Sequence, residues 1–220
     1  IRLQDVSFNF GSGPEVLKKI NLTIPPKRTV AFVGESGVGK STLATLLTGM
    51  VKPSSGEIFL GDRSYGEIDL GWLRRQSGFV TQETVIFNDT IWNNITLWRA
   101  NSAKEKVREA ATGAHIEEFI STLPDGYNTV LGDNGINISG GQRQRISIAR
   151  ELFKDVKLLI FDEATSSLDG HSEKEIQRNI DEFRGERTIV LIAHRLSTIK
   201  QSDLIVVLKN GEIVEQGSYD

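Results

Sequence analysis

Gly34-Glu35-Ser36-Gly37-Val38-Gly39-Lys40-Ser41 is the stretch on which the fold turns. A glycine, four residues, then Gly-Lys-Ser is the spacing of a P-loop, whose glycines let backbone N–H groups close around a phosphate where a side chain would obstruct. The flanks agree. The apolar run 29–33 ahead of it reads as a buried strand, and Thr42 opens a helical pattern over 42–48, so the loop lies between a strand end and the positive end of a helix. Lys40 is expected to reach the β- and γ-phosphates of a nucleotide and Ser41 to ligate Mg²⁺, with Glu35, Ser36, Val38 and Thr42 completing the cradle. A glycine-rich turn that only caps a helix would need neither the full spacing nor both flanks.

A Mg²⁺-nucleotide also calls for carboxylates, and Leu158-Leu159-Ile160-Phe161-Asp162-Glu163 supplies two at the end of an apolar run. Alone, an Asp-Glu pair would simply end a strand at the surface. Beside a P-loop, Asp162 is expected to partner Mg²⁺ and Glu163 to act as general base toward the attacking water. Further short apolar runs at 78–81, 188–193 and 204–208 alternate with helical patterns, which indicates a parallel sheet covered on both faces. Gly34, Gln82, Asp162 and His194 each fall at or just after the carboxyl end of such a run, the edge where open parallel sheets bind ligands. Gln82 is suited to orient water or Mg²⁺, and His194 to hydrogen-bond the γ-phosphate.

Composition narrows the class. The chain has 220 residues, 38% of them hydrophobic, 25% charged, with a formal net charge of -3 and no cysteine. That is enough apolar material for a substantial core, no bulk attraction to nucleic acid or anionic lipid, and no thiolate metal site. No apolar stretch approaches the ~20 residues that a membrane-spanning helix requires. A strand pattern starting at Ile1 and a stop at Asp220 are expected of a piece cut from a longer chain.

Alternation over 2–10 and 20–24, with turn chemistry at 11–14, predicts an antiparallel layer near the N-terminus. Residues 88–154 are mostly helix-like, clearest at 103–112 and 116–123, and read as an inserted helical subdomain. Within it, Ile138-Ser139-Gly140-Gly141-Gln142 precedes a helical stretch over 143–153 with Ile146, Ala149, Leu152 and Phe153 as its buried stripe. Ser139 has the chemistry of an N-cap, with glycine N–H groups beside it, a second ready anion site. One nucleotide does not need two such sites from one chain; a two-fold dimer resolves this, each copy's Ser139 end covering the nucleotide on the other's P-loop.

These motifs in this order resemble the nucleotide-binding domain of an ABC transporter, over essentially the whole chain. The resemblance implies an α/β P-loop NTPase (RecA-like) core of residues 1–82 and 156–220 with an N-terminal antiparallel β-layer, and an inserted helical signature subdomain at 83–155. It implies ATP and Mg²⁺ as cofactors, Ser139-Gly140-Gly141-Gln142 as the signature loop acting in trans, Gln82 as the Q-loop glutamine, Ser167-Leu168-Asp169 as the D-loop and His194 as the switch histidine. Phe10 takes the place where the family stacks an aromatic ring, more usually tyrosine, on adenine. Ile138 stands for the usual leucine, a volume-conserving change.

The segments 80–91 and 131–135 are similar to the exporter type, in which transmembrane helices are fused ahead of the ATPase. They imply contact with a membrane domain of the same polypeptide at the cytoplasmic face of a membrane. The alternatives are an importer's separately encoded ATPase, which the text around Gln82 argues against, or a soluble non-transport ABC ATPase. A chromosome-structure ATPase would carry a long coiled coil between Lys40 and Ser139, and a translation-associated protein a basic RNA-binding tract; neither is present, so no nucleic-acid partner is expected. Trp72, Trp92 and Trp98 are expected to pack, in the core by preference or else at an edge of the membrane-domain interface, and His115 and His171 to be ordinary exposed residues.

Overall fold

The computed structural model describes the chain apart from residues 82, 136, 163–176, 179, 193–198 and 220. It forms two compact units, the first made of Ile1–Ser77, Lys157–Asp162 and Arg184–Asp220, the second of Gly78–Val156 and Glu163–Phe183. In chain order the first contains β1 (Arg2–Asn9), β2 (Glu15–Thr23), β3 (Thr29–Val33), helix α1 (Lys40–Leu47), β4 (Ser55–Leu60), β5 (Arg63–Ser64) and α2 (Leu70–Arg75). The chain leaves it along β6 (Ser77–Val80) and returns as β7 (Leu158–Asp162), β8 (Thr188–Ile192), β9 (Leu204–Lys209) and β10 (Glu212–Gly217).

The expected N-terminal layer is present as an antiparallel sheet in the order β2-β1-β4-β5. Its core follows from the alternation: Leu3, Val6 and Phe8 face Leu22, Ile20 and Leu17 across the β1–β2 ladder, and all six are buried. The main sheet runs β10-β9-β3-β8-β7 in this unit, with β9, β3, β8 and β7 parallel and β10 antiparallel. Strand β3, Thr-Val-Ala-Phe-Val, is buried from Thr29 to Phe32 because both of its neighbours are strands and both faces are covered.

Strands β4, β5 and β10 carry little sequence signal: β5 and β10 lie at sheet edges, β10 exposing all but one of its residues, and β4 buries only Ile58. Strand β4 also holds Gly56 at φ 77, where a Cβ would stand 2.3 Å from the Asp5 carbonyl oxygen, so only glycine lets it approach β1 there.

The second unit is helical: α3 (Ile91–Thr96), α4 (Lys104–Gly113), α5 (Glu117–Thr122) and α6 (Gly140–Phe153), with α6 packed on α3 and α4. Helix α6 buries Ile146, Ala149 and Phe153 as its pattern predicts, whereas Leu152 is only half-buried. Arg150 and Glu151 are buried as well. Glu151 takes the Lys154 ammonium at 2.9 and 2.8 Å and the Phe79 backbone N–H; burial pushes its carboxyl up. That bond ties Phe79 to α6 within the second unit.

Arg150 donates from Nε to the Asn94 carbonyl at 2.8 Å and from Nη2 to the Val85 carbonyl at 3.0 Å, so one fork pins the segment 85–94 to α6. Arg150→Ala leaves those carbonyls unpaired and is expected to lower unfolding free energy by about 2–4 kcal/mol. Urea unfolding would measure it, and Arg150→Lys should recover little, since an ammonium lacks the planar fork.

Two of the tryptophans correct the expectation of core packing. Trp72 is 45% and Trp98 51% exposed, Trp98 because its indole N–H is held out by Asp89 at 2.8 Å; Trp92 is half-buried, its ring edge-on to Tyr127. His115 is exposed beside Glu182, and His171 lies outside the described residues.

Candidate active site

Strand β3 delivers the chain directly into the glycine loop. Gly34, Gly37 and Gly39 take φ of 151, 80 and 106, which L side chains avoid. A Cβ on Gly34 would lie 2.3 Å from the Leu208 carbonyl oxygen, and one on Gly39 would lie 2.8 Å from Leu17. The loop therefore turns back tightly against β2 and β9. Glu35, Ser36, Gly37 and Ser41 are exposed, while Val38 and Thr42 are half-buried.

Helix α1 starts at Lys40 with Gly39 as its N-cap; no side chain caps it and its first turn carries no acid. Its leading N–H groups have no intrahelical acceptor, so they favour an anion. Lys40 is a buried residue, 5% exposed, and its ammonium donates to the Gly34 and Glu35 carbonyls at 2.8 Å each. At the far end of α1 the buried Tyr65 hydroxyl donates to the Leu47 carbonyl at 2.8 Å, which holds the helix in place. A cleft of about 560 Å³ opens along the loop, lined by Val16, residues 34–38 and the β9–β10 turn. Val16 and that turn were not singled out from the sequence, since neither carries a motif.

Asp162 ends β7. Phe32 of β3 pairs with Ile192 of β8, and Ile192 with Asp162, so the three stand level across the sheet. Asp162 is thus at the same carboxyl edge as the loop, two strand spacings or roughly 10 Å away. Gln82, Glu163 and His194, like Ser167-Leu168-Asp169, lie outside the described residues; in sequence Glu163 directly follows Asp162 and His194 comes two after Ile192. Phe10, in the β1–β2 turn, is 63% exposed and meets Phe8 edge-to-face at 4.8 Å. Most of its ring surface is open for stacking.

In the second unit Ser139 is the N-cap of α6. Its hydroxyl accepts from the Gln142 N–H at 3.2 Å, and Gln142 Oε1 accepts from the Ser139 N–H at 2.8 Å, a complete capping box. Capping uses a lone pair of the hydroxyl and leaves its proton to be donated. Gly140 and Gly141 form the first turn, and Ile138 is buried in the apolar role that leucine would fill. Arg143 braces the approach through the Ile138 and Gly135 carbonyls at 3.0 and 3.3 Å.

Comparison with known proteins agrees with this geometry. The family model described as ABC transporter matches residues 17–166. An ATP-dependent lipid A-core flippase of Coxiella burnetii is 49% identical over all of this chain, which covers 38% of it. The mitochondrial iron-sulfur clusters transporter ATM1 of Chaetomium globosum is 46% identical over all of this chain and 37% of its own length. Among solved structures, a bacterial Atm1-family ABC exporter with ATP bound superposes with a TM-score of 0.92 at 41% identity, over 99% of this chain and 38% of that one. The chain thus spans little more than a third of each relative. From the loop, the strand order and these similarities together, the chain belongs to the ABC transporter family, as a nucleotide-binding domain of the exporter type.

Proposed function

We propose that this chain is the ATP-binding and ATP-hydrolysing motor of an exporter, working as a head-to-tail dimer beneath transmembrane helices of the same polypeptide. The observation that carries it is the Lys40 ammonium held inside the glycine loop by two carbonyls, with Asp162 on the same sheet edge. The relatives' greater length, of which this chain spans little more than a third, supports fused transmembrane helices. The domain then works at the cytoplasmic face, where ATP is.

Phe10 stacks on adenine, the loop N–H groups and Lys40 hold the phosphates, and His194 bonds the γ-phosphate. Exposed Ser41 in the loop and Asp162 at the end of β7 suit Mg²⁺, an ion that takes few protein ligands, keeps several waters and shares phosphate oxygens. Ser41, Asp162 and Gln82 would hold it, and it would neutralise charge on the phosphates. Glu163 takes a proton from water as the water oxygen bonds to the γ-phosphorus and the bond to the β–γ bridging oxygen breaks. Ser139 to Gln142 of the second copy close the site from the far side, and closure and reopening are the mechanical output.

Mixing two defective chains tests the trans arrangement. Lys40→Ala and Ser139→Ala should each hydrolyse ATP poorly alone. An equimolar mixture places one intact composite site in each mixed dimer, so about a quarter of wild-type turnover should return. Turnover that stays at the sum of the two parts would sink the head-to-tail dimer and leave a P-loop ATPase.

A further inference from the structure

Gln144 is 3% exposed, one turn and a half into α6 from Ser139, and its amide is spent on the segment around Gln82 rather than on its own helix. Oε1 accepts from the Thr84 hydroxyl at 2.6 Å, and Nε2 lies 3.5 Å from the Thr81 carbonyl, to which it donates. The amide's orientation is fixed chemically. A carbonyl only accepts, so nitrogen must face Thr81, and that leaves the amide oxygen for the Thr84 proton. Thr81 in turn closes its own side of the segment, its hydroxyl donating to the Glu83 carbonyl at 2.7 Å. One buried amide therefore grips the described residues that bracket Gln82, from a point roughly 7–8 Å along the helix axis from Ser139.

We infer that Gln144 is a positioning residue for hydrolysis: it ties the backbone flanking Gln82 to the helix that opens at Ser139, so the segment serving this chain's own nucleotide moves as one piece with the Ser139 end that covers the partner's nucleotide. The inference rests on the function proposed above. A neutral amide suits the task, since it supplies donor and acceptor on one rigid plane without burying a charge. A leucine of similar size would fill the space and release both threonines.

The test is steady-state ATP turnover, ATP affinity by calorimetry and thermal unfolding of the same chains. Gln144→Leu and Thr84→Val should each lower kcat roughly tenfold, the cost of a small misplacement of a reacting group. KM and ATP affinity should stay within about twofold, since ground-state binding is untouched. The double variant should be no slower than either single one, because both remove the same link. Thr84→Ser, which keeps the hydroxyl, should retain wild-type kcat.

An unchanged kcat in Thr84→Val, multiplying effects in the double variant, or a parallel fall of kcat, affinity and Tm would each overturn the assignment. Thr84 is half-buried, so its variants carry the test even if Gln144→Leu does not fold. Absence of ATP turnover in the wild-type chain would instead bring down the proposed function, and this inference with it. Wild-type turnover with an indifferent Thr84→Val removes only the role of Gln144.

Discussion

Glu163→Gln should slow ATP hydrolysis by roughly 10²- to 10⁴-fold, the usual contribution of a general base, while Mg²⁺-ATP still binds. The substitution keeps size and shape and removes only the ability to take a proton. Position argues for the role. Asp162 stands level with Phe32 and Ile192 at the carboxyl edge, and Glu163 is the next residue along the chain, just past the strand end. With the chemical step blocked, the ATP-closed dimer has no route to reopen. Size-exclusion chromatography should therefore show the variant shifting from monomer to dimer on adding Mg²⁺-ATP, and wild-type turnover should rise more steeply than linearly with protein concentration. Near-normal turnover in the variant would mean that another group activates the water. A variant that stays monomeric beside wild-type turnover linear in concentration would confine the trans contact to the full-length protein.

What could be read from the sequence was what local geometry encodes. The loop 34–41 was legible because each glycine answers a backbone demand: Gly34 and Gly39 sit where a Cβ would strike Leu208 or Leu17. Strands β3 and β8 were legible because strands buried on both faces are continuous apolar runs. Ser139 was legible as a cap because serine followed at N3 by glutamine is a reciprocal pair.

Long-range partners were not legible. Arg150 and Gln144 carry no motif, and their roles emerge only when the Asn94, Val85 and Thr81 carbonyls are brought against them. Trp98 looks like core, yet Asp89 holds its N–H at the surface, where Phe87 packs edge-on at 5.0 Å. Strand β10 has five of its six residues exposed, so alternation has nothing to report. Gln82, Glu163 and His194 lie outside the described residues, and their roles rest on sequence register at strand ends.

Lys40→Ala is expected to abolish useful turnover, with kcat down roughly 10²- to 10³-fold, the cost of removing one preorganised donor to developing charge. Lys40 is 5% exposed, and its ammonium lies 2.8 Å from each of the Gly34 and Glu35 carbonyls. Those contacts fix the cation inside the loop, so little reorganisation is left for the moment of reaction. Removing it should also weaken ATP binding by roughly tenfold, because a charge-assisted contact to phosphate is lost in a poorly hydrated loop. Lys40→Arg separates charge from shape: it restores the charge, but a planar guanidinium does not fit the narrow seat between two carbonyls that a compact ammonium fills. Calorimetric ATP titration of both variants, beside their turnover, should find Lys40→Arg nearly as slow as Lys40→Ala. An arginine variant with wild-type kcat would show that charge alone suffices and that the carbonyl seat has no catalytic role. Wild-type turnover in Lys40→Ala would remove the loop from the chemistry altogether.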